Sequence, residues 1–291
     1  MAESAATTAY GVMAQIALEQ ARPKARRIFE DPLAVHMLSP SQQAMTMFIS
    51  MRPLRQPLYG LLEKVAPGIA NGILSRKRYI DDKLSESLRS GINTVVILGS
   101  GLDTLAYRNS QLMNAHVYEV DLPEIITYKE KKVRQIFQTL PEHVTYVPID
   151  FETQSLDTVL ISQGWSPARH AFYVWEGVTQ YLTEAGVRGT FEFLAKASAG
   201  SRLVFTYVVK DFIDGVNKYG LDSFYQRVRV KNQLWHFGLN PPDVEKFMGK
   251  YGWKVLEQAG ADEFRKRYVE PAGRSEPVSE IERTVYAKRV T

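Results

Sequence analysis

Residues 94–104 read Thr-Val-Val-Ile-Leu-Gly-Ser-Gly-Leu-Asp-Thr, an apolar, β-branched run that stops at a glycine turn. Five such residues bounded by glycine predict a strand buried on both faces, not one that alternates between core and water. The same texture recurs on either side of a helix pattern as the reading moves outward. His116–Val120, Val144–Val147, Ala171–Trp175 and Arg202–Val208 read as further strands, and Trp253–Glu257 and Thr284–Lys288 as the last two. One intervening helix opens at Pro123, with Ile126, Val133, Phe137 and Leu140 on one face. Another is capped by Thr183 and carries Val187, Phe191 and Leu194 at helical spacing. This alternation predicts an α/β fold, with a mostly parallel seven-stranded sheet and helices on both faces in the Rossmann-like manner.

Residues 1–92 differ in texture from residues 93–291. They show helical spacing, several prolines and no strand-like run, with Asp31-Pro32 as a helix start and short helices with bends over Met45–Leu62. No repeat or low-complexity tract is present.

Composition excludes several classes of function. The 291 residues contain no cysteine, which removes disulfides, thiolate nucleophiles, zinc–thiolate sites and iron–sulfur clusters. The 36 basic and 32 acidic residues leave a net charge of +4, and the basic residues are scattered without a long tract. That balance hints at an anionic substrate or nucleic acid, and the scatter of the basic residues argues against the latter. No run approaches a membrane span, and the N-terminus lacks the basic and apolar regions of a secretory signal. The expectation is a soluble cytoplasmic protein without a metal site, its oligomeric state open.

In parallel α/β sheets ligands bind beyond the carboxyl ends of the strands, so the residues just after each strand are the informative ones. After the first comes Gly99-Ser100-Gly101, where the backbone can turn sharply and approach a ligand. The third glycine of the dinucleotide fingerprint is missing, with Thr104 in its place, which counts against NAD. After the second comes Asp121, 20 residues beyond Gly101, where an acid reaches ribose hydroxyls or simply caps the helix at Pro123. Asp150-Phe151 follows the third strand, suited to an adenine amine and ring face or to a surface turn. Glu176 follows the fourth, suited to a cationic centre or to a loop. Together these carboxylates would repel a dinucleotide's phosphates and welcome a sulfonium.

The segments SRKRYIDD, VVILGSGLDTLAYR, YEVDLPEIITYKEKKV, VPIDFET and FYVWEGVTQYLT closely resemble the leucine carboxyl methyltransferase family. Within it, the match is to the bacterial branch of class I S-adenosylmethionine-dependent O-methyltransferases that includes polyketide-tailoring enzymes. The resemblance runs from about Thr8 to Gly260. It implies S-adenosylmethionine as cofactor, with the glycine turn on Gly99 and Gly101 and the ribose acid on Asp121 beside Leu122. It further implies the adenine pair on Asp150 and Phe151, and the acid near the methionine moiety on Glu176. The family's arginine for the methionine carboxylate falls on Arg76 or Arg78, both of which fit; each could equally be a solvated helix face. Residues 1–92 correspond to the family's helical lid, and about 209–240 to the variable region that shapes substrate choice. The sequence departs from the bacterial pattern at Leu105, where an arginine is common, so some local pairing is expected to be lost.

The implied activity is methyl transfer to a carboxylate or phenolic hydroxyl of a small metabolite or natural product. A carboxylate needs no general base; for a phenol, His236 is the candidate base, and Tyr181 is a candidate to touch the acceptor. Two other readings stand beside this one, an NAD-dependent oxidoreductase using the same turn and Asp121, and a non-catalytic S-adenosylmethionine-binding protein. Neither nucleic acid nor membrane is an expected partner.

Overall fold

The computed structural model describes residues 2–51, 60–61, 63–150 and 153–290. Three helices, α1 (Ala2–Glu19), α2 (Ala34–Met37) and α3 (Pro40–Ser50), precede the long α4 (Ile69–Arg89). Strand β1 (Thr94–Leu98) leads through the single turn α5 (Leu105–Arg108) to β2 (His116–Asp121). Next come α6 (Pro123–Phe137), β3 (Val144–Pro148), α7 (Leu156–Ser162), β4 (Ala171–Trp175), α8 (Glu184–Leu194) and β5 (Arg202–Val208). The short α9 (Lys210–Ile213), α10 (Asp222–Tyr225) and a π-helical turn over Gln226–Lys231 fill the segment after β5. The chain closes with α11 (Val244–Gly249), β6 (Trp253–Ala259), α12 (Ala261–Phe264) and β7 (Glu282–Arg289).

All seven strands join one sheet in the order β3-β2-β1-β4-β5-β7-β6. The first five are parallel, and β7 runs antiparallel between β5 and β6. Strand order reverses between β1 and β4, which opens a crevice at their carboxyl ends. Both faces of β1 are buried, as its unbroken apolar run requires. Val96 and Leu98 join a core with Trp175, Phe191 and Phe205, while Val95 and Ile97 face Met13, Leu74 and Ile80 from α1 and α4. Helix α4 therefore belongs to one of the layers that cover the sheet.

The largest local difference from expectation lies at helix ends. Helix α2 starts at Ala34, not at Pro32, although the Asp31 carboxylate still accepts from the Leu33 and Ala34 N–H groups at 2.9 and 3.1 Å. Helix α6 stops at Phe137 because Gln138 turns left-handed, with φ 67°, so Leu140 lies beyond the helical face and Phe137 stays exposed. Thr183 caps α8 as its spacing predicts, accepting from Gly186 N–H at 3.2 Å. Of the stretch Met45–Leu62, residues 52–59 and 62 lie outside the described residues.

Leu105 is fully buried, and the neighbouring Asp103 is paired, accepting from the Leu105 N–H and from Lys77. Arg108, one turn on, grips Asp81 with two hydrogen bonds of 2.6 and 2.8 Å and stacks over Phe29. Thr104 donates to Asp31 at 2.6 Å. Among the described residues no helix is long and apolar enough to cross a membrane.

Candidate functional site

The turn after β1 is built by backbone conformations that only glycine adopts without strain. Gly99 and Gly101 have φ of 68° and 47°. A Cβ at Gly99 would lie 2.4 Å from Val178 Cγ2, so this residue also lets the turns after β1 and β4 pack together. Among the described residues an added Cβ at Gly101 would meet Ala9 of α1, at 3.7 Å, so the N-terminal helix lies against the turn.

Asp121 stands at the end of β2 and faces this turn. Its Oδ2 accepts from Gly101 N–H at 2.6 Å and its Oδ1 from Leu122 N–H at 2.7 Å. Leu122, not Asp121, is the residue that precedes α6, so the carboxylate spans from the glycine turn to the Leu122 N–H and does not serve as the helix cap. Burial raises the Asp121 carboxyl above the usual range despite these two N–H donors. Asp150 lies on the adjoining strand end, where Ile149 N–H donates to the Asp121 carbonyl at 2.9 Å, and Thr153 Oγ1 donates to the Asp150 carboxylate at 2.7 Å. Phe151 lies outside the described residues.

A second group of charges closes the crevice on the β4 side. Arg76 Nε donates to Glu176 Oε1 at 2.7 Å, and its Nη1 donates to the carboxylate of Glu282 at the start of β7. Gly177, with φ 68°, lets the chain pass beside the guanidinium; a Cβ there would lie 3.1 Å from Arg76 Nη2. The neighbouring Lys77 places its ammonium 2.8 Å from Asp103 Oδ2 and 2.9 Å from Glu176 Oε2. Two cations thus meet three carboxylates, leaving one net negative charge. Burial works against the charged form of Arg76, and Glu282 and Glu176 outweigh it, holding its pKa above normal. Burial would likewise raise Asp103, but Lys77, Arg108 and Lys129 hold it well below the usual carboxylate range.

Arg76 and Arg78 point in different directions. Arg76 lies on the buried face of α4, whereas Arg78 is exposed and pairs with Asp82, one turn along, at 3.2 Å. Gly99, Gly101, Asp121, Leu122, Asp150, Arg76 and Glu176 are brought together at the carboxyl edge of the sheet; Arg78 is not. Tyr181 is half-buried against Trp235, with ring centroids 6.3 Å apart. His236 is exposed, and its backbone N–H donates to the Gln180 carbonyl at 2.6 Å.

Sequence reasoning missed Lys77, Asp103 and Glu282. The first two stand inside the motifs SRKRYIDD and GLDT, and the available signal was a base in the one motif and an acid in the other. Nothing local marks Glu282, which reaches Arg76 only because β7 inserts beside β5, with Glu282 opposite Val208. A further buried pair supports the turn from beneath. Lys129 and Glu119, both fully buried, meet at 2.8 Å; Tyr107 donates to Glu119 at 2.6 Å, and Lys129 donates to the Ser100 carbonyl at 3.3 Å.

Comparison with known proteins places this geometry among relatives. The sequence profile of the leucine carboxyl methyltransferase family matches residues 9–195. A protein from Mycobacterium bovis (strain BCG), described as a candidate S-adenosyl-L-methionine-dependent methyltransferase, is 31% identical over 209 residues, covering 72% of this chain and 68% of the relative. A similarly described protein from Mycolicibacterium smegmatis is 28% identical over 204 residues, 64% of each chain. The chain thus spans slightly less than two thirds of that relative's length. Among solved structures, a candidate methyltransferase from Thermobifida fusca superposes with a TM-score of 0.57 at 16% identity, covering 94% of this chain and 97% of the other. That likeness speaks to the fold, the class I methyltransferase architecture.

Proposed function

The chain belongs to the leucine carboxyl methyltransferase family, and from that premise we propose that it is an S-adenosylmethionine-dependent O-methyltransferase acting on a carboxylate of a small anionic metabolite or natural product. The observation that carries the reading is the set of carboxylates Asp121, Asp150 and Glu176 at the carboxyl ends of β2, β3 and β4, with Asp121 bonded to the glycine turn after β1. The cofactor, when bound, supplies a methyl group activated on a sulfonium.

The residues present fit such a group. No side chain stands on the turn at Gly101, and the buried Ser100 hydroxyl has no hydrogen-bond partner among the described residues. The donor set is anionic where a dinucleotide would bring phosphates. Asp121 would take the ribose hydroxyls, with Leu122 lining that end, and Asp150 the adenine amine. Arg76 would take the methionine carboxylate through its remaining nitrogen, and Glu176 would face the ammonium. Arg78, on the outer side of α4, has no such part. Residues 1–92 would serve as a lid through α1, whose Ala9 already stands over Gly101.

For the transfer itself the chain's task is alignment and exclusion of water. A carboxylate acceptor is ionised at neutral pH and asks for no base. That agrees with a His236 ring that is exposed and makes no hydrogen bond among the described residues. Tyr181 and Trp235 would form the acceptor wall.

The test is transfer of labelled methyl to a panel of small carboxylic acids and phenols, scored by base-labile ester against stable ether, with His236→Ala alongside. The expected result is ester formation, with His236→Ala within about twofold of wild type. Ether formation alone, with His236→Ala slower by about 10²-fold or more as for a lost general base, would replace the carboxyl reading.

A further inference from the structure

The buried ammonium of Lys77 has no part in the reading so far, yet it touches both walls of the crevice. It donates to Asp103, in the turn after β1, at 2.8 Å, and lies 2.9 Å from Glu176, in the turn after β4. Asp103 is itself fixed, since its Oδ1 accepts from Leu105 N–H at 2.9 Å. Lys77 Nζ therefore links the two strand-end turns flanking the switch point by charge, beside the apolar contact of Gly99 with Val178. Only 5% of the residue is exposed, a costly place for a charge. Buried ion pairs are commonly no more stable than apolar residues of the same volume, so scaffolding alone is a weak reason for one here.

We propose that Lys77 is a positioning residue: a charge bridge that keeps Asp103 and Glu176 both ionised and facing the sulfonium end of the cofactor. This rests on the S-adenosylmethionine reading above. Two carboxylates held by one nitrogen lie within about 6 Å of each other by that geometry, close enough for one to take up a proton at neutral pH once the cation is removed. The other charged groups around them are fixed. Arg76 faces Glu176 and is shared with Glu282, while Arg108 and Lys129 face Asp103, as do the acids Asp31, Asp81 and Glu119. In wild type these groups hold Asp103 well below the usual carboxylate range, so its own charge is constant through the physiological range.

S-Adenosylmethionine and S-adenosylhomocysteine differ at the reacting sulfur by one methyl group and one positive charge. The ratio of their affinities reports the charge of the crevice, and a purely structural defect weakens both alike. The experiment measures both dissociation constants by calorimetry from pH 6.5 to 8.5 for wild type, Lys77→Met, Lys77→Gln and Lys77→Arg.

The wild-type ratio is expected to stay level. In Lys77→Met it should swing by about fivefold or more, S-adenosylmethionine losing ground as pH falls and a carboxylate protonates. Lys77→Gln, which keeps a hydrogen-bond donor, tests the same loss of charge if the methionine variant does not fold, and Lys77→Arg should be level again. Adding Asp103→Asn to Lys77→Met removes the surplus carboxylate and should restore a level ratio. A level ratio in both neutral variants, whatever happens to the separate affinities, overturns the proposal, as does a swing in Lys77→Arg. Failure of wild type to bind either ligand would instead overturn the cofactor reading on which the proposal stands.

Discussion

Asp121 shows how far one residue could be read. Its distance from Gly101 predicts an acid reaching across the crevice, and the structure turns its carboxylate to the Gly101 N–H and leaves the start of α6 to Leu122. Glu119, two residues earlier, was not legible as part of the site, because an acid inside a strand gives no sign of which partner neutralises it. Its partner, Lys129, comes from α6, and both are fully buried. Lys129→Met should therefore leave an uncompensated buried carboxylate and lower unfolding stability by about 3–5 kcal/mol, read by urea denaturation at pH 7. Adding Glu119→Gln should recover part of that loss. A cost below about 1 kcal/mol would mean that water reaches the pair and that it does not brace the turn.

At the scale of elements, the turn after β1 depends on its neighbour after β4. Gly99→Ala meets two penalties, the positive φ and the approach to Val178 Cγ2. The first is worth about 1–2 kcal/mol, and the second depends on how far the Val178 side chain can yield. Combining Gly99→Ala with Val178→Ala should relieve the overlap and leave only the backbone penalty. If the pair of substitutions were no more stable than Gly99→Ala alone, contact with Val178 would not be what forbids a side chain there. The glycines themselves were legible from their place after a strand. The strands were legible too, within a residue or two at most ends, because an unbroken apolar run has few other uses. Ends set by side-chain capping or a left-handed residue were not, as Leu140 illustrates: its spacing fits the face of α6, but Gln138 ends that helix first.

At the scale of the molecule, the alternation of strand and helix predicts the seven-stranded sheet, and the sheet's order decides which strand ends face one another. That order was beyond the reach of local patterns. Sequence alone left Arg76 and Arg78 equivalent, since choosing between them requires the face of α4 that packs on the sheet; the fold buries one and exposes the other. Glu282 enters only because the last strand returns antiparallel beside β5, some 200 residues after the arginine it touches. The central claim is that the residues after the strands recognise the S-adenosyl cofactor, not a dinucleotide, and that Asp121 holds its ribose. Calorimetric titration of the wild type and Asp121→Ala with S-adenosylhomocysteine, and separately with NAD, tests it most directly. The account predicts saturable binding of S-adenosylhomocysteine to wild type, affinity at least about tenfold weaker in Asp121→Ala in keeping with loss of a charged hydrogen-bond acceptor, and no binding of NAD. Binding of NAD without S-adenosylhomocysteine, or equal affinity in the two proteins, would contradict it.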